Sequence, residues 1–124
     1  MKTNFEYTGG ADCFISAYVE CALWSSTDEE GEPLDSSYCT DDLAFGARAL
    51  MESDCEDFIE SNSGLLADWN ASQAGHDFWL TRNRHGAGFW DRGRGKNGDD
   101  LTAAAHAYGE CDLYVGDDGV IYLA

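Results

Sequence analysis

The side chains with catalytic potential in this sequence are five cysteines and three histidines. A cysteine beside a histidine makes a nucleophilic pair, and closely spaced cysteines bind zinc. His76 and His85 are the possible partners of a thiol, but no cysteine-enzyme signature surrounds any cysteine, and no C-x-x-C pair occurs. The sequence therefore predicts free thiols, no metal, no cofactor and no enzyme. The thiols belong to Cys13, Cys21, Cys39, Cys55 and Cys111.

Carboxylates are the other abundant reactive group, and they are unevenly distributed. The chain of 124 residues has 24 acidic and seven basic residues, a formal net charge of -17. Residues 1–77 hold most of the acids with only Lys2 and Arg48 against them, whereas the bases gather in residues 82–96. A field of this sign repels nucleic acid and anionic lipid and attracts cationic surfaces. We therefore expect a basic protein or ribonucleoprotein as partner, with no direct nucleic-acid or membrane binding.

The predicted interaction surface is an acidic face formed by a loop and the helix after it. Glu52, Glu56 and Glu60 recur every four residues, so they form one row on a helix, where like charges cost a few tenths of a kcal/mol. Helix stability does not explain the row, whereas solubility or a cationic partner would. Simple solubility and adaptation to high salt are the alternative explanations of the acidity. The full predicted face comprises Asp28, Glu29, Glu30, Glu32, Asp35, Asp41, Asp42, Glu52, Glu56, Asp57 and Glu60.

The basic segment offers an alternative function. Tryptophans among arginines combine stacking surfaces with phosphate-binding cations, as in proteins that bind single-stranded nucleic acid. Against this, the acidic flanks repel phosphates, and the arginines can instead pair with the protein's own carboxylates. The residues of this alternative site are Trp79, Arg82, Arg84, Trp90, Arg92 and Arg94.

Hydrophobic periodicity predicts the elements that position these groups. Apolar residues at helical spacing predict helices over 12–25 and over about 40–62, the second capped by Thr40. A short helical turn is expected in 64–70 and a short helix after Asn97 or Asp99, ended by Gly109. Alternation of residues 77–82 and the turn at 83–86 predict a hairpin with 87–91, and 111–123 predicts a second. The expected fold is a single α+β domain, with helices on one face of a four-stranded antiparallel sheet, in the order α-α-ββ-α-ββ.

Three stretches of the sequence resemble small acidic proteins encoded by tailed phages. The first is GHDFWLTRNRHGAGFWDR at 75–92, the second is CDLYVGDDGVIY at 111–122, and the third is the acidic stretch 24–42. The resemblance implies a phage or prophage origin and brings no catalytic residues with it. By class, small acidic phage proteins are similar to anti-CRISPR and anti-restriction inhibitors, several of which imitate DNA. The implied function is a non-enzymatic inhibitor of a host nuclease complex.

The remaining expectations concern location and assembly. The first ten residues lack the apolar core of a signal peptide, and no apolar run is long enough to span a bilayer. We therefore expect a protein of the host cytoplasm, present as a monomer or a homodimer.

Overall fold

The computed structural model describes residues 1–124, and it is mostly helical. Six helices precede one short hairpin, and three single turns of 3₁₀ helix join them. The helices are α1 (Asn4–Tyr7), α2 (Gly10–Ser25), α3 (Phe45–Ser61), α4 (Ser63–Leu66), α5 (Ala71–Arg82) and α6 (Lys96–His106). The strands are β1 (Leu113–Val115) and β2 (Ile121–Leu123), and the 3₁₀ turns are Leu34–Ser36, Thr40–Asp42 and Phe89–Asp91.

The predicted four-stranded sheet is wrong, because the residues of its first hairpin form α5 and the turn Phe89–Asp91. Nine of the twelve residues of α5 are buried. A helix surrounded by other elements has no polar face, so its sequence lacks the 3.6-residue pattern of a surface helix. The alternation of Phe78, Leu80 and Arg82 with Asp77, Trp79 and Thr81 therefore does not indicate a half-buried strand, and both sets of residues are buried in the helix.

Close contact between α2 and α5 forms the centre of the molecule. A Cβ atom on Gly75 would lie 2.0 Å from the carbonyl oxygen of Phe14, so glycine lets the two backbones approach. Around this contact the rings of Phe14, Phe58 and Phe78 pack together, with the centroids of Phe58 and Phe78 4.1 Å apart. Burial of these aromatic rings supplies much of the hydrophobic free energy of the fold.

The helix α3 starts later than the sequence suggests. Thr40 lies in a separate 3₁₀ turn, where Asp42 Oδ2 accepts a hydrogen bond of 2.8 Å from the backbone N–H of Cys39. The α-helix begins at Phe45 and ends at Ser61, one residue before the predicted end. Its apolar face is confirmed at Ala47, Met51, Cys55 and Phe58, which are buried, whereas Leu50 of the predicted apolar stripe is 58% exposed.

The second predicted hairpin is confirmed. The strands β1 and β2 pair antiparallel with Tyr114 opposite Tyr122, and Gly119 in the turn has a φ of 78°, which favours glycine. The backbone N–H of Ala44 donates to the carbonyl of Ile121 at 2.8 Å, which ties the hairpin to the start of α3. None of the helices is both long and apolar enough to cross a membrane.

Candidate functional site

Arg82, from the basic segment, lies in the interior. Its side chain is 5% exposed and forms an ion pair of 2.8 Å with Asp54 Oδ2. The same guanidinium donates to the hydroxyl of Tyr18 at 3.0 Å and to the backbone carbonyls of Tyr108 and Gly109. Burial raises the pKa of the Tyr18 phenol, so the phenol stays neutral beside this cation. Arg82 therefore joins α2, α3 and α5 to the segment after α6.

Arg92 is also held by an ion pair, and its partner, the carboxylate of Asp77, is fully buried. Its Nε and Nη2 donate to the two oxygens of Asp77 at 3.0 and 2.8 Å, a bidentate pair. Gln73 adds a third hydrogen bond of 3.0 Å to Asp77 Oδ1. The hydrogen bond with Asp77 raises the pKa of Arg92. The prediction that these arginines pair with the protein's own carboxylates is confirmed for Arg82 and Arg92.

Most residues of the alternative nucleic-acid site do not lie together on the surface, as the predicted hairpin would have placed them. Trp79 is buried and donates its indole N–H to Ser25 Oγ at 2.8 Å. The guanidinium of Arg94 lies 4.6 Å from the ring centroid of Trp69 and donates to the backbone carbonyl of Asp68. With Arg82 and Arg92 also engaged, Arg84 and Trp90 are the two residues of the six that are exposed without such a contact.

The predicted acidic face on α3 is only partly free. Glu52 forms an ion pair of 3.0 Å with Arg48, and Asp57 accepts a hydrogen bond from the hydroxyl of Tyr108. Glu56 and Glu60 are exposed and have no hydrogen-bond or ion-pair partner. They lie about 16 and 22 Å along the helix axis from its first residue, at 1.5 Å per residue. The free charge of α3 is therefore at its C-terminal half.

The loop before α3 uses two of its carboxylates for its own structure. Asp28 Oδ1 accepts hydrogen bonds from the backbone N–H groups of Glu30 and Glu32, at 2.9 and 3.0 Å, and Asp42 holds the N–H of Cys39. The side chains of five predicted residues in this loop are exposed and make no hydrogen bond: Glu29, Glu30, Glu32, Asp35 and Asp41.

The ion-pair pattern of the whole chain follows from these contacts. Four Lys or Arg side chains pair with carboxylates, in the pairs Arg48–Glu52, Arg82–Asp54, Arg92–Asp77 and Lys96–Asp100. The other 20 of the 24 acidic residues have no Lys or Arg within ion-pair distance. Arg82 and Arg92 pair with carboxylates in or beside the interior, whereas Arg48–Glu52 and Lys96–Asp100 are surface pairs within one helix. With 24 acidic residues against seven basic ones, the outer surface remains strongly anionic.

Three of the five thiols have a pKa raised by burial. All five cysteines are unpaired, and burial raises the pKa of Cys21 to about 12, helped by the negative charge of Asp77. Burial also raises the pKa of Cys55 and of Cys111. A protonated thiol is a weak nucleophile, so these three cysteines are poorly suited to attack a substrate at neutral pH. No group of three or more His, Cys, Asp or Glu side chains is arranged to hold a metal ion.

A groove of about 830 Å³ between α2, the start of α5 and the turn Leu34–Ser36 was not predicted from the sequence. Its walls include Glu20 and Trp24 from α2, Asp35 from the turn, and His76 from α5. Trp24 is 57% exposed, and its ring centroid lies 6.0 Å from that of His76. The available signal was the position of Trp24, outside the apolar stripe of α2 and four residues after Glu20.

No protein-family model, curated protein sequence or solved structure matches this chain. The resemblance to tailed-phage proteins therefore stays a prediction from the sequence.

Proposed function

We propose that this protein is a non-enzymatic inhibitor that binds the cationic, nucleic-acid-binding surface of another protein. The observation that carries the proposal is the surplus of carboxylates without a Lys or Arg partner, 20 of 24, on a chain that pairs four of its seven cations with its own acids. A groove that binds nucleic acid recognises mainly the charge of the phosphate backbone. A rigid anionic surface competes for such a groove without any group that resembles a base.

The free carboxylates of α3 support a role in binding, because their position lowers helix stability. Glu60 lies in the last turn of α3, which contains no basic residue, and a carboxylate there opposes the negative end of the helix dipole. Glu56 stands four residues before it, so the two like charges also repel one another. Two neighbouring charges on one helix face that lower helix stability are expected where a cationic partner offsets their repulsion.

The class of target follows from the charge and from the resemblance to phage proteins. Host defence complexes such as restriction nucleases and CRISPR-Cas effectors bind nucleic acid in basic channels. A phage protein with this surface gains an advantage for the phage by blocking such a channel. We therefore propose a defence nuclease or its ribonucleoprotein complex as the partner.

The test is a competition between this protein and DNA for the same target. The full chain is used to capture proteins from a bacterial lysate at low and at high salt, beside a Glu56→Lys/Glu60→Lys variant and a Glu52→Gln control. Each captured protein is then purified and mixed with a fluorescent DNA or guide-RNA duplex. We expect the wild type to displace the duplex, the control to do so equally well, and the double reversal to lose at least tenfold in affinity.

Two results would contradict the proposal. One is that the wild type retains no nucleic-acid-binding protein at either low or high salt. The other is that the captured protein binds duplex and wild type at the same time, which places the contact outside the nucleic-acid channel. Adaptation to high salt makes a different prediction, since it requires no partner and expects the free energy of unfolding to rise steeply up to molar salt.

A further inference from the structure

The groove beside Trp24 contains aromatic, polar and acidic side chains in one concave space. Its volume of about 830 Å³ lies within the range typical of ligand sites. The indole of Trp24 forms one wall with most of its surface open to solvent, and the imidazole of His76 packs beside it at an interplanar angle of 33°. Such a wall favours planar ligand groups, because they stack on aromatic faces.

The carboxylates of the groove decide the charge of its occupant. Glu20 and Asp35 both line it, both are exposed, and neither has a hydrogen-bond or ion-pair partner. The cation of the groove, Arg92, is neutralised by its bidentate contact with Asp77. The net charge facing a ligand is therefore negative, which excludes phosphates and carboxylates and favours a cation.

The aromatic wall lies directly beside a buried charged residue. His76 is followed directly by Asp77, whose side chain is 0% exposed and fixed by Arg92 and Gln73. His76 Nδ1 is itself buried without a hydrogen-bond partner, 3.7 Å from Asp77 Oδ1. The His76 side chain is 38% exposed, so the imidazole joins the buried Asp77 to the open surface on which Trp24 lies.

We propose that this groove binds an arginine side chain presented by the basic partner. The guanidinium is the cation that is also planar, so it stacks on Trp24 while donating N–H groups to the carboxylates of Glu20 and Asp35. Lysine offers a point charge without a stacking face, and it is expected to bind more weakly. This inference rests on the proposed function, because it names the contact that anchors the cationic surface.

The direct test is an NMR titration of the full chain with N-acetyl-arginine amide, beside its uncharged analogue N-acetyl-citrulline amide. We expect saturable shifts of the Trp24 indole N–H with the arginine compound and at least tenfold weaker binding of the citrulline compound. Glu20→Gln/Asp35→Asn should remove the arginine effect while keeping the shape of the groove. Trp90→Phe is the control for the indole signal, because Trp90 is also exposed but lies outside the groove, and it should leave the Trp24 shifts unchanged. Equal shifts with both compounds, or unchanged binding by the Glu20/Asp35 variant, would overturn the inference.

A second measurement separates this inference from the proposed function. In the competition assay Trp24→Ala should weaken binding to the captured partner at least tenfold. If Trp24→Ala binds as well as the wild type while Glu56→Lys/Glu60→Lys does not, the arginine site is refuted and the proposed function stands. If the wild type captures no partner but still binds the arginine compound selectively, the proposed function fails and the groove is a site for a different arginine-containing ligand.

Discussion

The helices α5 and α3 differ in whether their charged side chains have partners within the protein. In α5, nine of twelve residues are buried, and its charged residues Asp77 and Arg82 are fully engaged with ion-pair and hydrogen-bond partners. In α3, four of seventeen residues are buried, and its outer carboxylates Glu56 and Glu60 have no partner. A buried charge without a partner costs several kcal/mol, whereas an exposed charge keeps its water. The charges of α5 are therefore structural, whereas Glu56 and Glu60 of α3 are available to another molecule.

The same comparison explains why the excess of acid tells little about the interior. Two of the four ion pairs involve α5: Arg82 of α5 pairs with Asp54, and Asp77 of α5 pairs with Arg92. Both use arginine, whose planar group satisfies several acceptors at once. Arg82 and Arg92, which are used in this way, add little positive charge to the outer surface. The anionic exterior is therefore partly a consequence of how the interior is built.

The largest difference between the two helices is expected from glycine substitutions. Gly75→Ala in α5 places a Cβ against the carbonyl of Phe14 and must separate two backbones. We expect a loss of about 3 kcal/mol in the free energy of unfolding, the upper end of the overpacking range. Gly46→Ala is the matched control in α3, where nothing lies within 4 Å, and it should stabilise by about 0.5 kcal/mol. Urea denaturation measures both, and equal effects would break the comparison.

Removing the buried carboxylate of α5 is the second test. Asp77→Ala leaves Arg92 and Gln73 without their acceptor, and we expect a loss of about 2–3 kcal/mol. The value is below that of a wholly buried pair, since the Arg92 side chain is 31% exposed and regains water. Glu56→Ala on α3 should change the free energy of unfolding by less than about 0.5 kcal/mol. A loss below about 1 kcal/mol for Asp77→Ala would show that the pair is dispensable.

The third test measures how the buried thiol of Cys21 makes the free energy of unfolding depend on pH. Cys21, which faces Asp77, has a pKa raised by burial from 9.0 to about 12, so the folded state keeps the proton that the unfolded state loses. This contribution is fully present below about pH 9 and is lost as pH rises toward 12. The slope is about 1.4 kcal/mol per pH unit for one group. Cys21→Ala should reduce the slope by that amount, whereas the exposed Cys39, changed to Ala, should leave it unaltered. Denaturation curves at pH 8, 9.5 and 10.5 measure the slopes.

The smallest effect on stability is expected at the outer face of α3. Glu56→Lys/Glu60→Lys removes like-charge repulsion and places cations near the C-terminal end of the helix, so it should stabilise by a few tenths of a kcal/mol. Glu52 is left unchanged because it pairs with Arg48. Thermal unfolding at low salt measures this change. A destabilisation above about 1 kcal/mol would mean that these carboxylates support the fold, and the proposed binding surface would then lose its main argument.

Amphipathic elements were predictable, and elements buried on all sides were not. The helix α2 and the pattern of α3 follow from apolar residues on one face, such as Tyr18 and Met51, since the opposite face meets water. The final hairpin follows from turn residues around Gly119 and from flanking β-branched residues. In α5 no such contrast exists, and the short alternation at 77–82 predicted a strand that the chain does not form.

The candidate site divides along the same line. Which residues carry negative charge, and that they outnumber the cations, is determined by the sequence alone. The sequence does not reveal that Glu52 and Asp57 have partners while Glu56 and Glu60 do not, because Arg48 and Tyr108 reach them only through the fold. Likewise, Trp24 and Asp35 border one groove with His76 because α2 and α5 meet at Gly75. Charge and amphipathic periodicity are local properties of a chain, whereas pairing and concavity depend on contacts between distant residues, and only the tertiary structure decides those contacts.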